Sequence, residues 1–71
     1  MEVKLGMYEH YKSKKYRVIG VAKHSEILED LIVYEPLYEN TISKLWVRPL
    51  KMFLETVEVN GKQVPRFKYL G

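Results

Sequence analysis

Apolar side chains along this chain fall in short runs, and Gly, Pro or charged clusters interrupt them about every ten to twenty residues. That rhythm predicts short strands joined by turns. Met7-Tyr8-Glu9-His10-Tyr11 predicts a first short strand, and Lys12-Ser13-Lys14-Lys15 a polar turn. Tyr16 to Lys23 reads as a strand from its β-branched and aromatic content. Successive side chains on a strand face opposite ways, giving the rows Tyr16, Val18, Gly20, Ala22 and Arg17, Ile19, Val21, Lys23. The first is the expected core row, because the second begins and ends with cations. Its small members, Gly20 and Ala22, predict close packing or a sharp bend.

His24 to Asp30 reads as a polar connection and Leu31 to Tyr38 as the next strand. Pro36 lacks a ladder donor and belongs at a strand end, an edge or a bulge. Glu39 to Ser43 is an expected loop. Lys44 to Arg48 is an expected short strand, with Leu45 and Val47 on one face and Trp46 on the other. Pro49 suits the first position of a helical turn over the following apolar residues. Thr56 to Val59 and Lys62 to Val64 flank Asn60-Gly61, the strongest short-range hairpin signal. Pro65 ends that pairing, and Arg66 to Leu70 is a last strand or tail. The sum is about five short strands and one 3₁₀ or α turn. The economical arrangement is a small SH3-like antiparallel barrel, with an oligonucleotide-binding-type barrel as second choice. Its expected core is Tyr16, Val18, Val33, Leu45, Val47, Met52, Phe53 and Val57.

Length changes this picture by limiting it. Seventy-one residues make one expected domain, residues 1–71. A chain of this size buries only about 60% of its unfolded surface, which leaves little room for an enclosed site. The chain has no cysteine, so thiolate sites, disulfides and cysteine nucleophiles are excluded. Two histidines make a wholly protein-held transition metal a poor expectation, and neither a metal nor a cofactor is expected. No apolar run reaches the ~20 residues of a membrane span, and the start lacks a signal-peptide plan. A cytoplasmic protein without membrane attachment is expected, as monomer or strand-paired homodimer.

Charge adds a block pattern to the net +3. Residues 1–24 carry +4, residues 25–43 carry −5 with no Lys or Arg, and residues 44–71 carry +4. Either the acidic block lies beside the basic ones in the fold, or the surface is dipolar with a basic face for nucleic acid.

The ordered stretches Gly6-Met7-Tyr8-Glu9-His10-Tyr11-Lys12, Tyr16-Arg17-Val18, His24-Ser25-Glu26, Val33-Tyr34, Leu37-Tyr38, Trp46-Val47-Arg48-Pro49, Met52-Phe53, Glu55 and Val64-Pro65-Arg66-Phe67 carry a resemblance. Over residues 6–67 the chain resembles the family known as domain of unknown function 1653 (DUF1653). The resemblance implies an SH3-like barrel and a small bacterial or phage protein, and no established activity. The chain departs from the family at Ser13 and Asn40, where glycine is more typical, and at Ile27, where threonine is.

Candidate chemistry gathers at a few residues. His24-Ser25-Glu26, with Glu29 following, could supply a general base beside a hydroxyl. Catalysis would need base and nucleophile within hydrogen-bond reach. The plainer alternative is a turn in which Ser25 bonds local amides. His10 is either a half-buried histidine or a partner of His24 and Glu26 in a polar pocket. Arg48 and Arg66 each stand beside a proline that fixes the backbone, and each offers a planar fork for carboxylate or phosphate. They either pair with Glu26, Glu29 or Glu55 or form an anion clamp walled by Trp46 or Tyr34. Tyr34, Tyr38 and Trp46 could line an aromatic groove.

The favoured expectation is a non-catalytic binding module. Its site would draw on His10, His24, Ser25, Glu26, Glu29, Tyr34, Tyr38, Trp46, Arg48 and Arg66. The partner would be a small polar or anionic ligand, a protein or peptide, or a nucleic-acid segment. The alternatives are an accessory domain or small enzyme using His24 and Glu26, and nucleic-acid binding through the basic cluster at residues 12–17.

Overall fold

The computed structural model describes residues 3–71. Its elements are β1 (Gly6–His10), β2 (Lys15–Lys23), β3 (Asp30–Pro36), β4 (Trp46–Pro49), α1 (Leu50–Phe53), β5 (Thr56–Val59), β6 (Lys62–Pro65) and β7 (Phe67–Tyr69). One antiparallel sheet has the order β4-β3-β2-β1-β7, and β5 and β6 form a separate hairpin. The mainly β class and the single helical turn after Pro49 are as expected. Seven short strands replace the expected five or so, because the hairpin and the tail each pair separately.

The barrel is not closed by backbone pairing, since β4 and β7 remain edge strands. Side chains join those edges instead. Phe67, which opens β7, stacks on Phe53 of α1 with centroids 4.3 Å apart and planes 9° apart. The Arg48 guanidinium of β4 lies over the same Phe67 ring at 5.3 Å. The sheet therefore curls until its two edges meet across an aromatic core. Tyr8, Val18, Ile32, Tyr34, Phe53 and Phe67 form that core.

Two expected core rows are corrected. Tyr16 and Val18 face inward, but the β2–β3 register shifts between Val18 and Gly20. The shift is a β-bulge, which exchanges the faces beyond it. Ala22 is exposed, and Val21, though paired with buried Ile32, is itself 50% exposed. Space above Gly20 is open to 4 Å, so the bend rather than close packing accounts for its small neighbours. In β4 the expected faces are inverted. Tyr34 pairs with Trp46 and Ile32 with Arg48, so Trp46 and Arg48 turn inward. Leu45 and Val47 are 50% and 59% exposed. Met52, expected inside, is 44% exposed, and Phe53 alone plugs the core from α1. Val33 and Val57 are half-buried.

Turn chemistry fixes the strand ends. Asn60 and Gly61 take φ of 52° and 78°, the left-handed pair that a two-residue hairpin requires. Ser13 sits at φ 75°, which accounts for glycine being the more typical residue there. Arg66 ties the hairpin to the main sheet: its N–H donates to the Glu55 carbonyl, and its own carbonyl accepts from Tyr11 N–H.

Candidate functional site

The end of the sheet holding the β1–β2 turn collects most of the candidate side chains. Tyr16 opens β2, Tyr34 lies near the end of β3, Trp46 opens β4, and Tyr38 follows β3 in the loop. Together with Arg48 they line a shallow depression of about 200 Å³. Tyr38 and Trp46 also wall an adjoining hollow of about 550 Å³, floored by the loop from Glu39 to Ile42. Asn40 shapes that loop: its side-chain carbonyl accepts from Ile42 N–H at 2.9 Å, and its amide donates to the Ser43 carbonyl.

Arg48 is held without being neutralised. Its Nε donates to the Tyr34 hydroxyl at 3.3 Å, and its guanidinium carbon lies 5.3 Å from the centre of the Phe67 ring. Among the described residues, no carboxylate pairs with it. The terminal guanidinium nitrogens therefore keep donors for a ligand. Trp46 Nε1 is buried and has no partner among the described residues. A buried indole N–H of this kind normally finds an acceptor. Tyr34, expected as an exposed groove wall, is instead a core residue at 5% exposure. Its hydroxyl alone reaches the site, where it positions Arg48.

The Tyr16 and Tyr38 hydroxyls lie 3.3 Å apart. Burial pushes the Tyr16 pKa up, and the hydrogen bond to Tyr38 adds to this. Tyr16 thus stays neutral and presents a ring edge and a hydroxyl rather than a base. Lys14 rides 4.9 Å above the Tyr38 ring. His10 stands next in line, its ring 6.5 Å from Tyr16 and 5.0 Å from Phe67. Burial lowers the His10 pKa, and Arg48, Arg66 and Lys12 lower it further. Its Nδ1 accepts from Lys12 N–H at 3.2 Å, so the neutral ring carries its proton on Nε2.

Arg66 is partly spent. Its Nη2 lies 3.4 Å from Glu55 Oε1, the structural pairing weighed above. His24, Ser25, Glu26 and Glu29 are not brought to this end. They sit beyond the other end of β2, nine residues and about 26 Å along the strand. There His24 Nδ1 accepts from the N–H groups of Glu26 and Ile27, at 3.1 and 3.4 Å. His24 and Glu29 also close the loop through their backbones, at 2.8 Å. The triplet is thus a turn, organised by the histidine ring rather than by Ser25. Among the described residues, no group of three His, Asp or Glu side chains converges as a metal site.

A hollow of about 470 Å³ lies between His10, Tyr11 and Lys68 on one side and Val59, Val64 and Pro65 of the hairpin on the other. It holds only one of the expected site residues. Sequence reasoning missed Tyr16 and Lys14 as site residues, assigning the first to the core and the second to a separate basic cluster. The signal was the adjacency of that basic turn to an aromatic strand start.

No helix among the described residues is long and apolar enough to cross a membrane. No curated protein matches the chain. A crystal structure of a DUF1653 protein from Bordetella bronchiseptica is similar, with TM-score 0.93 and 34% identity, over 99% of this chain and 90% of that one. The profile of the family described as protein of unknown function (DUF1653) matches residues 6–69, and the chain belongs to that family.

Proposed function

We propose that the protein is a non-catalytic binding module that holds a small anionic group joined to a flat ring. Arg48 takes the anion, and Tyr38 and Trp46 take the ring. One observation carries this reading: a half-buried guanidinium, oriented by Tyr34 and Phe67, has no carboxylate partner among the described residues. A bound carboxylate or phosphate would satisfy it through a charge-assisted, bidentate contact. Trp46, which lines the same depression, has a buried Nε1–H without a partner among the described residues. A cytoplasmic setting belongs to the same reading, as does a bacterial one, which the source of the solved relative supports.

The chain has a single tryptophan, so its indole N–H gives one resonance that reports on the site. Titration with phenyl phosphate, followed by NMR, is expected to shift that resonance to saturation. Arg48→Met should weaken binding by roughly 10- to 100-fold, the worth of a hydrogen bond to a charged group. Arg48→Lys keeps the charge, loses the fork, and should fall between. An indole signal that does not move, or that titrates equally in all three proteins, overturns the reading.

A further inference from the structure

Strand β2 runs between a basic turn and an acidic loop. Lys12 and Lys14 lie in the turn before it, and Arg48 reaches the same end from β4. Glu26 and Glu29 lie in the loop beyond its other end, outside the neighbourhood of the aromatic depression. The acidic block does lie beside the basic one along the paired β2 and β3, where Arg17 meets Glu35 and Lys23 meets Asp30, and only the loops at the two ends of β2 differ in charge. The cations at the first end are interleaved with rings. Lys12 lies over Tyr11 at 5.7 Å, Lys14 over Tyr38 at 4.9 Å and Arg48 over Phe67 at 5.3 Å. Aromatic walls beside a track of cations are what binds an unpaired strand: bases supply flat rings, and phosphates supply a repeated anion.

From this juxtaposition we infer that the ligand is single-stranded nucleic acid. One base enters between Tyr38 and Trp46, its phosphate lies on Arg48, and the neighbouring phosphates run across Lys14 and Lys12. The inference rests on the anion-and-ring site proposed above and names its ligand class. A duplex is disfavoured because its bases are stacked and cannot present a face to Tyr38 and Trp46. The larger hollow between those two residues gives the base room, and the loop at its edge brings Asn40 and Thr41 together with one carboxylate, Glu39.

The test is fluorescence anisotropy of the full chain with labelled oligothymidylate and oligouridylate of about ten nucleotides, and with a duplex of equal length. Both single strands should bind more tightly than the duplex. Three phosphate contacts on a single strand give a log–log salt slope of about −2, a loss of roughly 20-fold between about 50 and 200 mM salt. Lys14→Gln should reduce that slope by about 0.7. Tyr38→Ala, at a surface ring, should weaken binding by roughly 10-fold. Glu26→Gln with Glu29→Gln, at the far end, should leave affinity unchanged. No anisotropy change at low salt, equal binding of the duplex, or indifference to Tyr38→Ala and Lys14→Gln overturns the inference. If phenyl phosphate still shifts the Trp46 indole resonance while no oligonucleotide binds, the anion site stands and its assignment to nucleic acid fails. If both fail, the site itself is lost.

Discussion

Arg48 touches the ring of Phe67 and the hydroxyl of Tyr34, and its charge also bears on His10. Burial is the first cause of the lowered His10 pKa, followed by Arg48, Arg66 and Lys12. Tyr11, Tyr16 and Phe67 pack their rings around the imidazole and bring no carboxylate. The sign follows from linkage. A histidine with a lowered folded pKa binds fewer protons folded than unfolded below the ordinary value of about 6.5. The stability it allows is fully present above that pH and declines as pH falls toward the folded pKa. An NMR titration of the His10 ring should therefore place its midpoint below 6.5, and Arg48→Met should move it upward. A wild-type midpoint at or above the ordinary value would remove this coupling. A bound anion at Arg48 should move it upward too, which gives the proposed site a second reporter.

Among the elements, β4 departs furthest from the sequence reading, and the physical cause is pairing. Alternation along Leu45-Trp46-Val47-Arg48 separates two rows but does not say which faces the core. Hydrophobicity favours Leu45 and Val47. The register against β3 instead places Trp46 opposite Tyr34 and Arg48 opposite Ile32, both buried partners. Two long side chains with polar tips can fill a half-wet rim, where ring or stem packs and the donor stays available. Val47→Thr separates the alternatives. On the exposed face it should change stability by no more than about 0.5 kcal/mol. In a core it would bury an unpaired hydroxyl and cost about 1–3 kcal/mol. Urea unfolding of the two proteins decides the matter, and a large loss would restore the inward assignment.

For the whole molecule, the notable quantity is how little is fully buried. The accessible surface is 5433 Å², above the roughly 4,600 Å² expected for this mass. Among the described residues six make the buried core, and four of them are aromatic. Rings therefore do most of the burying, and they also join the edges that the backbone leaves open. Phe53→Ala would remove both the plug and the stack on Phe67. It should cost about 3–5 kcal/mol, a large part of the roughly 4–11 kcal/mol such a chain has in total. Phe53→Leu keeps volume but not the ring face, and should cost less. Amide exchange in β7 should speed up in both variants, because that edge strand depends on Phe67 being held. A loss under about 1 kcal/mol for Phe53→Ala would mean the edges are joined by something else.

The strand-rich class, the Asn60-Gly61 hairpin and the helical turn after Pro49 were legible in the sequence because each is fixed locally. Left-handed φ values, a missing N–H and alternation act within a few residues. The order of the stretches between Gly6 and Phe67 also sufficed for the family. Other features depend on contacts between distant segments. The bulge after Val18 exchanges the faces of β2 through its pairing with β3. The register of β4 turns Trp46 and Arg48 inward. The curl of the sheet brings β7 back to β4 through Phe67. Of the expected site, Tyr34, Tyr38, Trp46 and Arg48 were brought together, His10 beside them. His24, Ser25, Glu26 and Glu29 were carried to the opposite end. Sequence alone determines which residues can bind an anion or a ring. Only the tertiary structure decides which of them share a surface, because the nine-residue β2 strand holds its two ends apart while pairing joins segments far apart in the chain.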